Sequence, residues 1–309
     1  MEFKPKGFGD YATMSNYRNT KENFIELFFS VVSITALLIL IGIFIFLFIT
    51  GIKTFTQISP IEFFFGTEWN PTAYREPKWG ILSLIIGTLM IAFGSLIIAI
   101  PLGLASAIYL SDIAKPKIRE TIKPVIEMIA GIPSVVLGLI GILFLSPLVA
   151  KIFGLSSGLN AFTSSIIVGI MVLPTIISIS EDVLTSLPNE FREASLALGS
   201  TKWQMIRMTL IPAALSGIVA SIMLGLGRAV GETMAVLMVA GNSIAMPVSF
   251  FDPIRPMTAN IAIEIKEVVK GSLHYEALFA IGLVLFIMTF AVNFISDIII
   301  EKQVRKYKW

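Results

Sequence analysis

The chain has 309 residues, of which 55% are hydrophobic and only 14% charged, with a mean hydropathy of +0.86. That balance excludes a soluble globular domain, which needs far more charge to cover its surface. The absence of cysteine excludes disulfide and thiol chemistry, a single histidine (His274) makes a histidine-based metal site improbable, and the net charge of +2 identifies no partner.

Residues 1–23 read as a polar tail. Leu27 to Ile49 follows as 23 residues without a charge, too long for a signal-peptide core and without a cleavage site after it. It is expected to be a retained first span within 24–51. The segment 52–79 is aromatic-rich, with Phe55, Phe63, Phe64, Phe65, Trp69, Tyr74 and Trp79, expected to anchor at the interface or pack on the helices. A permease-like core over 80–300 begins with 33 uncharged residues between Lys78 and Asp112, a second span that Pro101 can kink. The third span is expected between Glu127 and Lys151, with Pro124 opening its helix and Pro133 inside it. Glu127 would then favour that helix N-terminus. The fourth falls within Ile152–Ser180, with Glu181 and Asp182 solvated at its end.

The fifth span is ambiguous because Arg228 and Glu232 interrupt two uncharged runs. Charge asymmetry between loops decides the count. With six spans, one side collects Lys4, Lys6, Arg18, Lys21, the Lys115–Lys123 cluster, Arg192, Lys202, Arg207 and the basic 301–309 tail. The other side holds only Lys53, Arg75, Lys78, Lys151, Arg255, Lys266 and Lys270. Seven spans would put the basic C-terminus on the wrong side. One tilted helix from about Ala214 to about Ala240 is therefore expected, with Arg228 near its midpoint. An external segment 242–276 follows, where Ile261, Ile265 and Val268 suggest a helix lying on the membrane and His274 a surface or interface histidine. The sixth span runs from near Ala277 to near Ile300, and both termini are expected to be cytoplasmic.

The loop 187–212 contains two short helices in prospect. Pro188 suits a helix start, Phe191, Ala194 or Ser195, and Leu198 form one stripe, and Gly199 can end it. Thr201 with Gln204 offers a capping box for the next helix. On pattern alone this is an interfacial connector. The residues EAS at 193–195, then Gly199 and Pro212, resemble the EAA loop of ABC-importer permeases. The stretches EPKWGILSLIIGTL, IPLGLASAIYLS, KPVIEMIAGIPSVVLGLIG and LGLGRAVGETMAV extend the likeness to the permeases of the phosphate-specific importer, PstC type.

That resemblance implies an all-α polytopic protein of six transmembrane helices with type I ABC-importer permease architecture. It implies a paralogous PstA-like permease, two ATPase subunits that Glu193, Ala194 and Gly199 contact, and an extracytoplasmic phosphate-binding protein as partners. No P-loop is present, so ATP hydrolysis would belong to the ATPase, and no cofactor or metal is implied. Alternatives are a PstA-type subunit, a molybdate or sulfate permease, or an ion-coupled secondary transporter.

An arginine and a glutamate in an apolar span are costly and need partners. At i and i+4, Arg228 and Glu232 can pair on one helix face. The residues leave two readings: a structural pair or intersubunit link, and an anion-binding arginine whose glutamate retakes it as the anion leaves. The family match at GRAVGET implies a substrate-pathway role for both. Gly227 and Gly231 form a small-residue pair suited to helix packing.

Overall fold

Where water is absent, only a helix satisfies its own backbone, so the uncharged runs of this chain fold as helices. The structure, a computed structural model, describes residues 8–306. Lys4, Lys6 and Lys308, used in the charge argument, lie outside the described residues. The chain opens with α1 (Phe8–Gly51), a 3-10 turn (Ile52–Thr56) and α2 (Pro60–Phe65). A short hairpin follows, β1 (Trp69–Asn70) antiparallel to β2 (Lys78–Trp79), with Trp69 opposite Trp79. Next come α3 (Leu82–Ile108), continued by a π-turn (Tyr109–Ile113), and α4 (Pro116–Ala130). α5 (Ser134–Ile140) leads through a π-turn (Gly141–Leu145) into α6 (Ser146–Phe153), and α7 (Ala161–Ser186) follows. After α8 (Asn189–Ala197), the chain runs through α9 (Lys202–Met205), a π-turn (Ile206–Leu210) and α10 (Ile211–Gly231). It ends with α11 (Met234–Val239), α12 (Met257–Glu264) and α13 (Leu273–Lys306).

Among the described residues, six stretches are long and apolar enough to cross a membrane: Ile25–Thr56, Leu82–Ile113, Ser134–Phe153, Ala161–Ser186, Lys202–Gly231 and Leu273–Ile295. α3, α7 and α10 form the centre, around Ile91, Ala92, Leu96, Val168, Val172, Ile176 and Ala229. α1 packs on α13, where a Cβ on Gly51 would lie 2.9 Å from the Ala280 amide nitrogen. A second cluster caps one end, with Phe63, Trp69, Trp79, Ile81, Met257 and Leu278 buried together.

Four boundaries differ from the sequence reading. Pro133 precedes α5 instead of kinking a span, and Pro124 lies inside α4, so the third crossing starts at Ser134. Proline disfavours a helical conformation at Ile132, which separates α4 from α5. Glu127 consequently sits in the last turn of α4 and favours no helix N-terminus. The fourth crossing reaches Ser186, since Glu181 and Asp182 are helical. The fifth begins at Lys202 and its long helix stops at Gly231, 30 residues or roughly 45 Å later. Finally, Ile261, Ile265 and Val268 pack on the Trp69 cluster and not on lipid.

Candidate functional site

Small residues on α10 bring it against the antiparallel α7. Cβ atoms on Gly217 and Gly225 would lie 2.5 Å from Val183 Cγ2 and 2.7 Å from Val172 Cγ1. Between them, the buried hydroxyls of Ser221 and Ser180 are 2.8 Å apart. Three residues beyond Gly225, Arg228 reaches α7 and donates from Nη1 to Thr175 Oγ1 at 3.4 Å. Thr175 stands midway along α7, so the guanidinium lies at mid-height of the bundle. Thr175 offers only a neutral hydroxyl, and among the described residues Arg228 has no carboxylate partner.

Glu232 leaves the helix. Its backbone is extended (φ −67, ψ 130), and α11 starts anew at Met234. The Glu232 carboxylate accepts from the Ala235 N–H at 3.1 Å, and its carbonyl accepts from the Thr258 hydroxyl at 2.9 Å. The i, i+4 pair with Arg228 therefore does not form, because the helix ends between the two residues. α11 instead packs on α5, where a Cβ on Gly138 would meet Met238 Sδ at 2.7 Å. The packing expected of Gly227 and Gly231 has no counterpart among the described residues, none of which lies within 4 Å of a Cβ on either. Gly217 and Gly225 make the close approaches instead; with Ser221 between them they stand at four-residue intervals, a small-residue stripe that the sequence reading passed over.

The connector folds as two segments joined at Gly199, which takes the left-handed conformation (φ +81). Thr201 and Gln204 form the reciprocal capping box. The second segment is no separate surface helix, because α9 runs on into the fifth crossing. Glu193, Ala194 and Gly199 are all exposed. An open groove of about 720 Å³ lies beside them, lined by Phe191, Ala194, Leu198, Gly199 and Met208 among others. Leu198, an apolar side chain on that groove, is 90% exposed.

Sequence reasoning missed two polar clusters. Glu181 is fully buried, not solvated: Arg119 Nη2 lies 2.5 Å from Oε1 and Lys123 Nζ 2.6 Å from Oε2. Lys123 also pairs with Asp182. Burial opposes the lysine's charge, but hydrogen bonds to Asp182 and Glu181 outweigh it and hold the pKa above the ordinary 10.5. At the opposite end, Glu264 joins Trp69 Nε1, Arg255 Nη1 (3.2 Å) and His274 Nε2 (2.8 Å). His274 is thus a mostly buried member of a network tying the hairpin to α12 and α13, and no surface residue. Neither cluster had a local signal: Glu181 meets Lys123 from 58 residues away, and Glu264 meets Trp69 from 195 and Arg255 and His274 from nine and ten, none at a helical spacing.

The family described as binding-protein-dependent transport system inner membrane component matches residues 99–309. The chain belongs to this family. The permease is 41% identical to the probable ABC transporter permease protein YqgH of Bacillus subtilis, over 81% of each chain. It is 35% identical to the phosphate transport system permease protein PstC of Xylella fastidiosa, covering 81% of this chain and 82% of that one. With PstC of Pasteurella multocida the identity is 33%, over 86% and 90% of the two chains. Among solved structures, a bacterial alginate ABC transporter superposes with a TM-score of 0.60 at 14% identity, covering 91% of this chain and 95% of that one. The MetNI methionine ABC transporter gives 0.57 at 21% identity, over 71% and 93%. The permease is therefore a multi-pass membrane subunit with type I ABC-importer architecture.

Proposed function

We propose that this permease is the PstC-type subunit of an ATP-driven phosphate importer. It would form half of the translocation pathway beside a PstA-like paralogue and two ATPase subunits, with both termini cytoplasmic and an extracytoplasmic phosphate-binding protein delivering the substrate. ATP hydrolysis would belong to the ATPase subunits. The naming of the relatives supports phosphate, and Arg228 is the observation that carries the pathway role. A guanidinium at mid-height of the bundle, facing a neutral hydroxyl, keeps most of its five donors for a phosphate oxygen array.

Glu232 then acts on release. Its carboxylate caps α11 while Arg228 holds the anion, and takes the guanidinium as the phosphate leaves, which lowers the exit barrier. Gly227 and Gly231, open within this chain, lie on the same segment and suit close packing against the paralogous permease. Glu193 and Ala194 on the exposed side of α8, with Gly199 just beyond its end, would face the ATPase.

Arg228→Gln should abolish phosphate uptake while membrane insertion and complex assembly persist, and unchanged uptake would refute the pathway role. Phosphate-loaded binding protein should stimulate ATP hydrolysis by the reconstituted complex, whereas sulfate and molybdate should not.

A further inference from the structure

Beside the exposed Glu193 stands an arginine that turns inward. Arg192 has its guanidinium engaged on every edge: Nε donates to Asp112 Oδ1 at 2.8 Å, Nη1 to the Leu187 carbonyl at 3.1 Å and Nη2 to the Leu184 carbonyl at 2.8 Å. These carbonyls lie at and just beyond the end of α7, where helical donors have run out. Asp112 is itself buried, its side chain 3% exposed, and its Oδ2 accepts from the Ser111 hydroxyl at 2.7 Å. Both residues belong to the π-turn that ends α3, a local distortion frequent at functional positions.

α8 buries none of its own residues, so apolar packing holds it weakly. Polar links attach it instead. Ser195 Oγ lies 2.7 Å from Ser200 Oγ and accepts from Thr209 at 3.4 Å, which leads to the fifth crossing. Arg192 leads to the second and fourth. A guanidinium ties three acceptors in one plane, which an ammonium on the same stem does not.

From this geometry we infer that Arg192 and Asp112 form a latch that passes displacement of α8 to α7, and so to the Thr175 contact on Arg228. The inference rests on the permease reading above, in which an ATPase engages α8. Arg192 is a positioning residue: it touches neither phosphate nor nucleotide.

In the complex purified with its ATPase, hydrogen exchange should respond to nucleotide both in α8 and at residues 183–187. Arg192→Lys should keep the response in α8 and lose it at 183–187, and Asp112→Asn should do the same. In proteoliposomes both variants should still hydrolyse ATP but import about tenfold less phosphate per ATP, the scale of a typical coupling between sites. A static clamp would instead lower assembly, hydrolysis and import together. A response at 183–187 that survives either substitution, or a wild-type complex without one, overturns the latch. If Arg192→Lys fails to assemble, Asp112→Asn leaves α8 unaltered and carries the same comparison. A wild-type complex that moves no phosphate refutes the substrate reading, and the exchange measurement still decides the latch.

Discussion

At Glu181 two cations converge on one buried carboxylate. Removing its charge leaves Arg119 and Lys123 facing a neutral amide, so Glu181→Gln should lower stability by about 2–3 kcal/mol. That is less than for a fully buried pair, because Arg119 keeps a third of its side chain exposed. The thermal midpoint in detergent measures it. Lys123 has its pKa raised, so its charge contributes stability that is fully present below pH 10.5 and is lost as pH rises through the higher folded value. The stability gap between wild type and Lys123→Met should therefore be flat through neutral pH and close under strongly alkaline conditions. Single residues were legible where the interaction is local: Thr201 and Gln204 are three apart and cap as their types dictate. Glu181 was not, because a carboxylate closing an apolar run looks solvated until a helix some sixty residues earlier is folded against it.

Elements show the same division. Gly199 marked the end of α8 correctly, because a left-handed residue after a short helix is a backbone requirement readable from type and position. No atom lies within 4 Å of a Cβ there, so Gly199→Trp should strain the backbone by roughly 1–2 kcal/mol while the permease still folds. Loss of ATPase association in that variant, by co-purification, is the expected result if α8 is the docking element. Gly225→Leu should behave oppositely, since its side chain would enter Val172 and Ile176. A loss of about 1–3 kcal/mol is expected for such overpacking, read again as a thermal midpoint. The break after Gly231 escaped the sequence because nothing local demands it. The Thr258 hydroxyl supplies a donor for the half-buried Glu232 carbonyl only once the chain has returned from its far loop.

Across the whole molecule, the span count and class were readable from uncharged length alone, because the bilayer imposes the period. The arrangement of spans was not, since contacts between apolar helices follow shape more than composition. The chain lacks cysteine, so single replacements report topology cleanly. Tyr74→Cys, at a fully exposed hairpin position, should react with an impermeant maleimide in intact cells, and Leu198→Cys only after permeabilisation. The reverse pattern would invert the proposed orientation. Length carries a last consequence. The second and fifth crossings have 32 and 30 residues, where about 20 suffice for the hydrocarbon. Their charged ends, with Asp112 on one and Lys202 and Arg207 on the other, place the surplus on the side of α8. That surplus, roughly 15 Å of helix, extends both crossings beyond the hydrocarbon thickness on that side. If α8 is the docking element, helix length sets its height, so a thinner or thicker bilayer should change the tilt of the helices more than the reach to the ATPase.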